Sequence, residues 1–349
     1  MNFFFKTYFS RVILILILLI IFLANISYGA VNIPTVDIFN SLFGAQATKE
    51  TWQYIIVDYR LPKAITAVLT GVGLSVAGLL MQTFFRNPLA GPYVLGLSSG
   101  SSLGVALVIL GSSVLPSFLS SSILSVYVIV FASCLGSLLV LVLVLLASQK
   151  LRDTNSVLIV GLMFSSFASA IVGVLTYFST AEQLQKFTFW SMGNLGSLDW
   201  SSVLILFIAV FIGLILSFCT LKSLDALLLG ERYAISLGLN FKKFRLLILI
   251  ATSILAGSIT AFVGPIAFVG LAVPHLAKMY CRSSSHYVLF FATIIIGAVS
   301  MLVCDMLSHV PGTEIILPIN AVTSIVGSPI VIWLIINPRR QKSNFNPKS

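Results

Sequence analysis

The stretch Leu227–Arg245 carries the densest set of side chains that could bind another molecule. It reads LLLGERYAISLGLNFKKFR and places five charged residues between two strongly apolar segments, namely Glu231, Arg232, Lys242, Lys243 and Arg245. Glu231 and Arg232 can form ion pairs and charge-assisted hydrogen bonds with a partner protein. The segment Glu231–Leu239 is predicted to be a short helix that Gly238 ends, because glycine tolerates the left-handed conformation after a helix. Since a half-polar helix cannot lie in hydrocarbon, we expect it at the cytoplasmic face, accessible to another protein.

The sequence contains no motif that predicts catalysis. A GxxxxGK[ST] phosphate loop, an HExxH motif and a Ser/His/Asp set are all missing, so we expect ATP hydrolysis to occur in a different chain. No Cys/His ligand spacing is present, so we predict no metal site, no cofactor and no disulfide framework. The central parts of the apolar segments contain essentially no acidic residues. An ion-coupled secondary transporter would need such groups, and it is the alternative to an externally powered transporter.

Composition and hydropathy predict an integral membrane protein. Of 349 residues, 58% are hydrophobic and 9% are charged, with a mean hydropathy of +1.08. A soluble globular protein carries about 25% charged residues. Apolar runs suited to crossing about 30 Å of hydrocarbon lie at about 12–28, 61–83, 93–111, 122–147, 156–178, 201–221, 245–263, 267–280, 287–307 and 315–336. The predicted fold class is an all-α membrane protein with about ten transmembrane helices, in a single domain over residues 1–349.

The distribution of basic residues predicts the orientation in the membrane. With the N-terminus inside the cell, all but four of the 20 Lys and Arg residues face the cytoplasm; the four are Lys49, Arg60, Lys63 and Lys186. This bias sets topology, so both termini are predicted to be cytoplasmic, including a short basic tail at 337–349. The net charge of +10 follows from topology and predicts no nucleic-acid partner. The first apolar run could be a signal peptide, but its length favours a retained helix.

Several segments are too rich in glycine and proline for a plain lipid-facing helix. The turn at 86–92, RNPLAGP, is predicted to be rigid. Glycines 96, 100 and 104 share one helical face, which fits close helix packing or, because serines surround them, a wet path. The loop at 187–200 is predicted to be a surface or re-entrant turn. The segment 264–278 is predicted to interrupt a helix; its His275 could be a ligand, a proton carrier or a cap.

Six segments in a fixed order resemble one protein family. They are RLPK at 60–63, RNPLAGPYVLGLSSGSSLG at 86–104, WSMGNLGSLDW at 190–200, LGERYAISLGL at 229–239, GPIAFVGLAVPH at 264–275 and LPINAVTSIVGSPIVIW at 317–333. From about residue 55 onward, the chain resembles the permease subunit of FecCD-like ABC importers for ferric siderophores, haem and vitamin B12. The resemblance implies a vitamin B12-importer-like permease fold in the inner membrane, surrounded by lipid and forming a homodimer or a heterodimer. It also implies two copies of an ABC ATPase subunit and a periplasmic or lipoprotein substrate-binding protein as partners.

The resemblance further implies roles for individual residues. A coupling helix at about 229–240 would contact the ATPase through Gly230, Glu231, Arg232, Ala234, Leu237 and Gly238. Arg60 and Lys63 match basic positions that dock the binding protein, although lysine lacks the bidentate fork of arginine, and a third family arginine corresponds to His309. The cytoplasmic gate would contain Asn87, Leu89, Thr154 and Asn155, which could equally be turn and capping residues. We therefore expect ATP-driven uptake of an iron-siderophore, or of haem or cobalamin, with no catalysis in this chain. A secondary transporter or a scaffold is the alternative.

Overall fold

The protein is built from α-helices throughout the residues that the computed structural model describes, which are 2–29, 31–111, 126–151, 154–281, 283–309 and 315–336. These α-helices are α1 (Asn2–Ser27), α2 (Thr35–Leu42), α3 (Glu50–Tyr54), α4 (Leu61–Phe84), α5 (Leu97–Ile109), α6 (Val126–Lys150), α7 (Thr154–Tyr177), α8 (Ala181–Ser191), α9 (Trp200–Leu228), α10 (Glu231–Ser236), α11 (Phe241–Val263), α12 (Val269–Cys281), α13 (His286–Ser308) and α14 (Ile319–Ile336). A π-helical turn, Ile55–Arg60, leads into α4, and a 3-10 turn, Pro92–Leu95, precedes α5. The only β pairing in these ranges is an isolated bridge between His309 and Ile316.

The predicted apolar runs coincide with α1, α4 to α7, α9 and α11 to α14. Six of the described helices are long and apolar enough to cross a membrane, counting α4 together with the helical turns before it. Shorter apolar stretches lie in α1, α5 and α14, at Val12–Ser27, Leu97–Ile109 and Ile319–Trp333. The all-α membrane fold class is confirmed. The main differences in length are in α1, which begins at Asn2 instead of near 12, and in α9, which continues to Leu228 instead of ending near 221.

Apart from α10, the sequence prediction missed the helices that lie outside the apolar runs. The expected surface or re-entrant turn at 187–200 is wrong in its first part, because α8 continues to Ser191. A capping box begins α8: the Thr180 hydroxyl accepts from the Gln183 backbone N–H, and the Gln183 side chain accepts from the Thr180 N–H. The T-x-x-Q spacing of this box was a readable signal for a helix start. The short helices α2 and α3 were also missed.

The chain packs into two compact units. Unit 1 contains Met1–Ser75, Asn194–Ile208 and Ala267–Ser349, and unit 2 contains Val76–Gly193 and Ala209–Ile266. The helices α4 and α9 each contribute residues to both units. The chain therefore alternates between the units, and each unit is assembled from segments that are distant in sequence.

Unit 1 has a tight helix crossing between α4 and α13. A Cβ added at Gly71 would lie 2.2 Å from the carbonyl oxygen of Gly297, and one added at Gly297 would lie 2.5 Å from that of Gly71. Since both distances are far below van der Waals contact, the two backbones touch and only glycine fits at either position. Small residues permit such crossings between membrane helices.

Unit 2 has an equivalent crossing between α5 and α6. A Cβ at Gly104 would lie 2.1 Å from the Ala132 carbonyl oxygen, and one at Gly136 would lie 2.0 Å from the Gly100 carbonyl oxygen. The face that carries Gly100 and Gly104 is therefore a helix-packing face and not the lining of a wet path, which were the two interpretations of the sequence. Ser101 on the same helix is buried and donates to the Ser133 carbonyl, which adds a polar contact to the crossing.

The predicted interruption after α11 is confirmed. The helix ends at Gly264, whose φ of +87° is accessible to glycine, and α12 begins only at Val269. Side chains satisfy the backbone in between: the Ile266 N–H donates to the Tyr93 hydroxyl (3.3 Å) within unit 2, and the Ala267 N–H donates to Asn320 Oδ1 (3.0 Å) within unit 1. Non-helical backbone in a membrane protein needs such internal partners.

His275 is buried inside α12 rather than placed at a helix end. Among the described residues, no group of three or more His, Cys, Asp or Glu side chains could hold a metal ion.

Candidate functional site

The short helix α10 forms where the sequence predicted it, between the long helices α9 and α11. Gly230 precedes it with a φ of +119°. After it, Gly238 has a φ of +91°, and its N–H donates to the Ile235 carbonyl while the Leu239 N–H donates to the Ala234 carbonyl. This pair of bonds is a Schellman motif, so Gly238 ends the helix as expected. The helix is shorter than predicted, because it stops at Ser236 instead of Leu239.

The surface of α10 is unusually apolar for a segment that also carries charge. Leu229 is 65% exposed, Tyr233 54%, Ile235 49% and Leu237 61%. Among the proposed contact residues, Ala234 is fully buried and therefore faces into the protein. Tyr233 and Ile235, which the sequence prediction did not include, supply exposed apolar area instead. Such a patch beside charged side chains is typical of a protein-binding surface.

The 86–92 turn directly follows α4. Its first residue, Arg86, has a φ of +48°. The Arg86 N–H donates to the Thr83 carbonyl and the Asn87 N–H donates to the Gln82 carbonyl, which is again the Schellman pattern. Glycine usually occupies this left-handed position, and a residue with a Cβ costs about 1–2 kcal/mol there.

The side chains of the 86–92 turn have two different roles. The Arg86 Nη2 group donates to the Leu227 carbonyl oxygen at 2.9 Å, which ties the turn to the last residues of α9. The Asn87 Oδ1 atom accepts from the Leu89 N–H at 2.9 Å, which forms a local turn. Leu89 itself is exposed. Of the proposed gate residues in this turn, Asn87 shapes the backbone and Leu89 presents an apolar side chain.

Arg245 makes a comparable contact from the first part of α11. It is buried, and its Nη1 group donates to the Ser148 and Leu151 carbonyl oxygens at 2.7 and 3.1 Å. These carbonyls end α6, so the guanidinium also interacts favourably with the negative end of that helix. Thr154 begins α7 three residues later; the side chains of Thr154 and Asn155 lie outside the described residues.

Aromatic rings connect the two arginine-bearing segments. Phe84, the last residue of α4, lies with its ring centroid 6.3 Å from that of Phe241 and 6.1 Å from that of Phe244. The guanidinium of Arg245 lies 5.2 Å from the centroid of the Phe241 ring, within range of a cation–π interaction. Phe84 and Phe244 are buried, so this cluster holds the ends of α4 and α11 together.

A second polar site lies in unit 1, where α1, α4 and α13 meet. Lys63 Nζ forms an ion pair with Asp305 Oδ1 at 2.9 Å, and both side chains are buried. The Asn25 amide donates to the other carboxylate oxygen at 2.9 Å. Lys63 Nζ is also 3.2 Å from His309 Nε2, and His309 Nδ1 is 3.0 Å from the Asp305 carbonyl oxygen. Since a carbonyl only accepts and an ammonium only donates, we assign the ring proton of His309 to Nδ1, which leaves Nε2 as the acceptor.

Arg60 lies beside this network and holds the chain after α1. Its guanidinium donates to the carbonyl oxygens of Ile26 at 2.9 Å, Ser27 at 3.1 Å and Val31. These acceptors are uncharged, so the positive charge of Arg60 is not cancelled by them. The sequence expectation placed Arg60 and Lys63 as docking residues; the structure shows that both are buried and bonded within their own unit.

Arg60, Lys63, Asp305 and His309 all line one cavity of about 250 Å³. The remaining walls are mainly Tyr28, Ile55, Tyr59, Met306 and Ile316. With two cationic groups against one carboxylate and a neutral His309, the lining carries an excess positive charge. Chemically it can receive an anionic side chain, because a carboxylate entering a partly desolvated site gains from a nearby cation.

Comparison with known proteins gives a consistent result over nearly the whole chain. Residues 16–337 match the FecCD transport family. The hemin transport system permease protein HmuU of Yersinia pestis is 34% identical over 331 residues, covering 95% of this chain and 96% of that protein. The vitamin B12 import system permease protein BtuC of Citrobacter koseri is 31% identical over 299 residues, covering 85% and 86%.

Solved structures resemble the chain in three dimensions as well. A metal-chelate type ABC transporter in an inward-facing conformation has a TM-score of 0.81 at 28% identity, over 94% of this chain and 98% of that one. PsaBC from Streptococcus pneumoniae in complex with Fab has a TM-score of 0.54 at 15% identity, over 88% and 98%, which is a likeness of fold alone.

Proposed function

Given that the chain belongs to the FecCD transport family and is the permease subunit of an ABC importer, we propose that it translocates a ferric siderophore across the inner membrane, powered by ATP hydrolysis in a separate subunit. The similar proteins are named for hemin, vitamin B12 and a metal chelate. All three are chelates of a metal ion. A siderophore complex belongs to the same chemical class, and haem and cobalamin are the alternative cargoes.

The exposed apolar surface of α10 is the observation that supports energy coupling. The coupling helix, at about 229–240, lies between two long apolar helices and presents Tyr233, Ile235 and Leu237 together with Glu231 and Arg232. A surface of this kind lies against protein when the complex is assembled. We assign that partner as an ABC ATPase, present in two copies beneath a homodimer of this chain. In this proposal Gly230 and Gly238, which flank the helix with a positive φ that glycine adopts readily, are its two pivots.

Transport in this proposal proceeds by alternating access. ATP binding brings the two ATPase subunits together and displaces the paired coupling helices, and the pathway then changes the side on which it is open. The gate on the cytoplasmic side contains Asn87, Leu89, Thr154 and Asn155. Both termini are cytoplasmic, so α10 and the gate lie on the side where ATP is available.

On the outer side, the unit 1 cavity receives the substrate-binding protein. Arg60 and Lys63 supply the positive charge, and an acidic side chain of a periplasmic or lipoprotein partner would enter beside them. Because Lys63 already pairs with Asp305, Arg60 carries the charge that is free to attract the partner. We therefore expect the loss of affinity on raising the salt concentration to depend more on Arg60 than on Lys63.

Site-specific photocrosslinking tests the coupling interface. A photoreactive amino acid at position 233 should crosslink to a P-loop ATPase in native membranes, identified by mass spectrometry. The same probe at Phe167, an exposed residue in the apolar middle of α7, is the matched control and should give no such product. A stable, membrane-inserted protein that gives no ATPase crosslink at 233 would contradict the proposal.

Uptake assays test the cargo. A strain lacking this chain would be complemented with the gene and supplied separately with radiolabelled ferric hydroxamate, ferric catecholate, haemin and cobalamin. Uptake of a ferric siderophore alone supports the proposed substrate. Uptake of haemin or cobalamin instead would reassign the cargo but keep the permease function.

A further inference from the structure

One arginine ties the first segment of the proposed cytoplasmic gate to the residues before α10, and a second ties the residues after α10 to the end of α6, which precedes the second gate segment. Arg86 ties the 86–92 turn to Leu227, just before α10, and Arg245, just after α10, ties to the end of α6. Resting on the proposed function, we infer that Arg86 and Arg245 are two separate tethers that carry the displacement of the coupling helix to the two gate segments. Both arginines bind backbone carbonyl oxygens of this chain, so both are positioning residues.

The identity of residue 86 supports the first tether. Arg86 occupies the left-handed position of a Schellman motif, where glycine is favoured on backbone grounds. Glycine there would remove the strain but could not reach the Leu227 carbonyl, which Arg86 Nη2 contacts at 2.9 Å. The strained backbone is thus combined with a side-chain contact that connects the gate turn to the end of α9. Because the acceptor is backbone, movement of that helix end moves the bond directly.

The burial and bonding of Arg245 support the second tether. Lys242 and Lys243, which precede it in the first turn of α11, are exposed, whereas Arg245 is buried and reaches two carbonyl oxygens at the end of α6. Both contacts are charge-assisted hydrogen bonds, which are stronger than neutral ones. The next described residues after Leu151 begin α7 at Thr154. The tether therefore ends immediately before the second gate segment.

The arginine of the first tether lies on the gate side, and the arginine of the second tether lies on the α10 side. Arg86 lies in the first gate segment and reaches the end of α9, which leads into α10. Arg245 lies in α11, which leads out of α10, and reaches the end of α6, which precedes the second gate segment in the chain. The aromatic cluster of Phe84, Phe241 and Phe244 joins the end of α4, just before the Arg86 turn, to the start of α11, which carries Arg245. With a positive-φ glycine on each side of it, α10 can tilt while α9 and α11 transmit the movement.

Cysteine accessibility in the assembled importer measures each gate segment separately. Leu89→Cys and Asn155→Cys would each be introduced after replacing Cys134, Cys219, Cys281 and Cys304 by alanine. The labelling rate of a hydrophilic maleimide is then compared in inside-out vesicles without nucleotide and after trapping with ATP and vanadate. Each reporter is combined with Arg86→Met, Arg245→Met or Lys242→Met. Lys242 is the control because it is an exposed cation in the same turn of α11.

We expect trapping to change the labelling rate at both reporters by about tenfold when both arginines are present. Arg86→Met should remove most of the change at Leu89→Cys and little of that at Asn155→Cys, and Arg245→Met should do the reverse. Lys242→Met should alter neither. Because loss of a buried guanidinium can impair folding, Arg245→Lys is included. Lysine keeps the positive charge but lacks the planar fork of arginine, so this variant should show an intermediate response at Asn155→Cys in a protein that assembles normally.

The outcomes separate the tethers from the proposed function. If neither reporter responds to trapping in the protein with both arginines, the gate and the coupling proposal fail together. If trapping changes the labelling rate equally in the arginine variants and in the protein with both arginines, only the tethers are refuted. If each arginine variant loses the change in labelling rate at both reporters, the effect is a general structural one, and the assignment of separate tethers is also overturned.

Discussion

Replacing one member of the Lys63–Asp305 pair should destabilise the protein strongly, whereas replacing both should not. The two side chains are 9% and 4% exposed and their charged atoms are 2.9 Å apart. Removing one partner leaves a buried charge, which costs about 3–5 kcal/mol. Lys63→Met belongs at the lower end of this range, because the Asn25 amide still donates to Asp305. Asp305→Leu belongs at the upper end, because Lys63 then keeps only the neutral His309 as a side-chain partner in the part of the chain that the structure describes.

The double variant Lys63→Met/Asp305→Leu removes both charges and should cost no more than the worse single variant. Neutral side chains of similar size are tolerated where a buried ion pair has been removed. The double-mutant cycle should therefore give a coupling energy of about 3 kcal/mol. Unfolding in mixed micelles with increasing SDS, followed by tryptophan fluorescence, measures each free energy. Single variants that cost less than about 1 kcal/mol, or effects that simply add, would refute the buried pair.

The same double variant separates stability from docking. If Lys63 serves only the ion pair, the double variant should bind the substrate-binding protein like the original chain. If Lys63 also attracts that partner, the double variant should be stable but should bind more weakly, with a smaller dependence on salt. Arg60 is untouched in both cases, so any residual salt dependence reports its charge.

Three further results are expected. Gly104→Ala should destabilise the protein because its Cβ would lie 2.1 Å from the Ala132 carbonyl oxygen, whereas Gly173→Ala, with nothing within 4 Å, should be neutral or slightly stabilising in the same SDS titration. Glu231→Ala should lower uptake while membrane insertion and ATPase association persist. The control Glu182→Ala, at an exposed residue, should change none of the three. Normal uptake in Glu231→Ala would count against the coupling role of Glu231. The Thr48 hydroxyl and N–H bond to Asp37 and hold its pKa below the ordinary value of 3.8. Because the folded pKa of Asp37 is depressed, this stabilisation is present above the unfolded pKa and is lost as pH falls through the folded pKa. Hydrogen-exchange protection of the Thr48 N–H should therefore decrease below about pH 4. Asp37→Asn should remove this dependence on pH.

The long helices were predictable because hydrophobic length is a local property of the sequence. The same is true of Gly238, since a glycine after a helical pattern is a reliable stop signal and the observed Schellman bonds agree with it. The helix α8 was missed although its T-x-x-Q capping box was visible, because the glycines and tryptophans further along the segment suggested a loop. Composition dominated the prediction where a specific capping signal was available.

The contacts of the basic residues could not be predicted from local sequence. Lys63 and Asp305 are far apart in the chain, and their pairing exists only because α4 and α13 cross at Gly71 and Gly297. Arg245 lies next to two exposed lysines and was grouped with them by charge, although packing buries it. The positive-inside rule counts charges without regard to burial, so it predicts orientation but not the roles of single arginines.

ATP-dependent uptake in proteoliposomes tests the central claim most directly. The chain would be reconstituted with its ATPase and binding protein, supplied with a radiolabelled ferric siderophore, and assayed with ATP on the cytoplasmic side while ionophores collapse all ion gradients. The account predicts that uptake continues under these conditions and stops when ATP is replaced by a non-hydrolysable analogue. Uptake that needs an ion gradient and proceeds without nucleotide would contradict it.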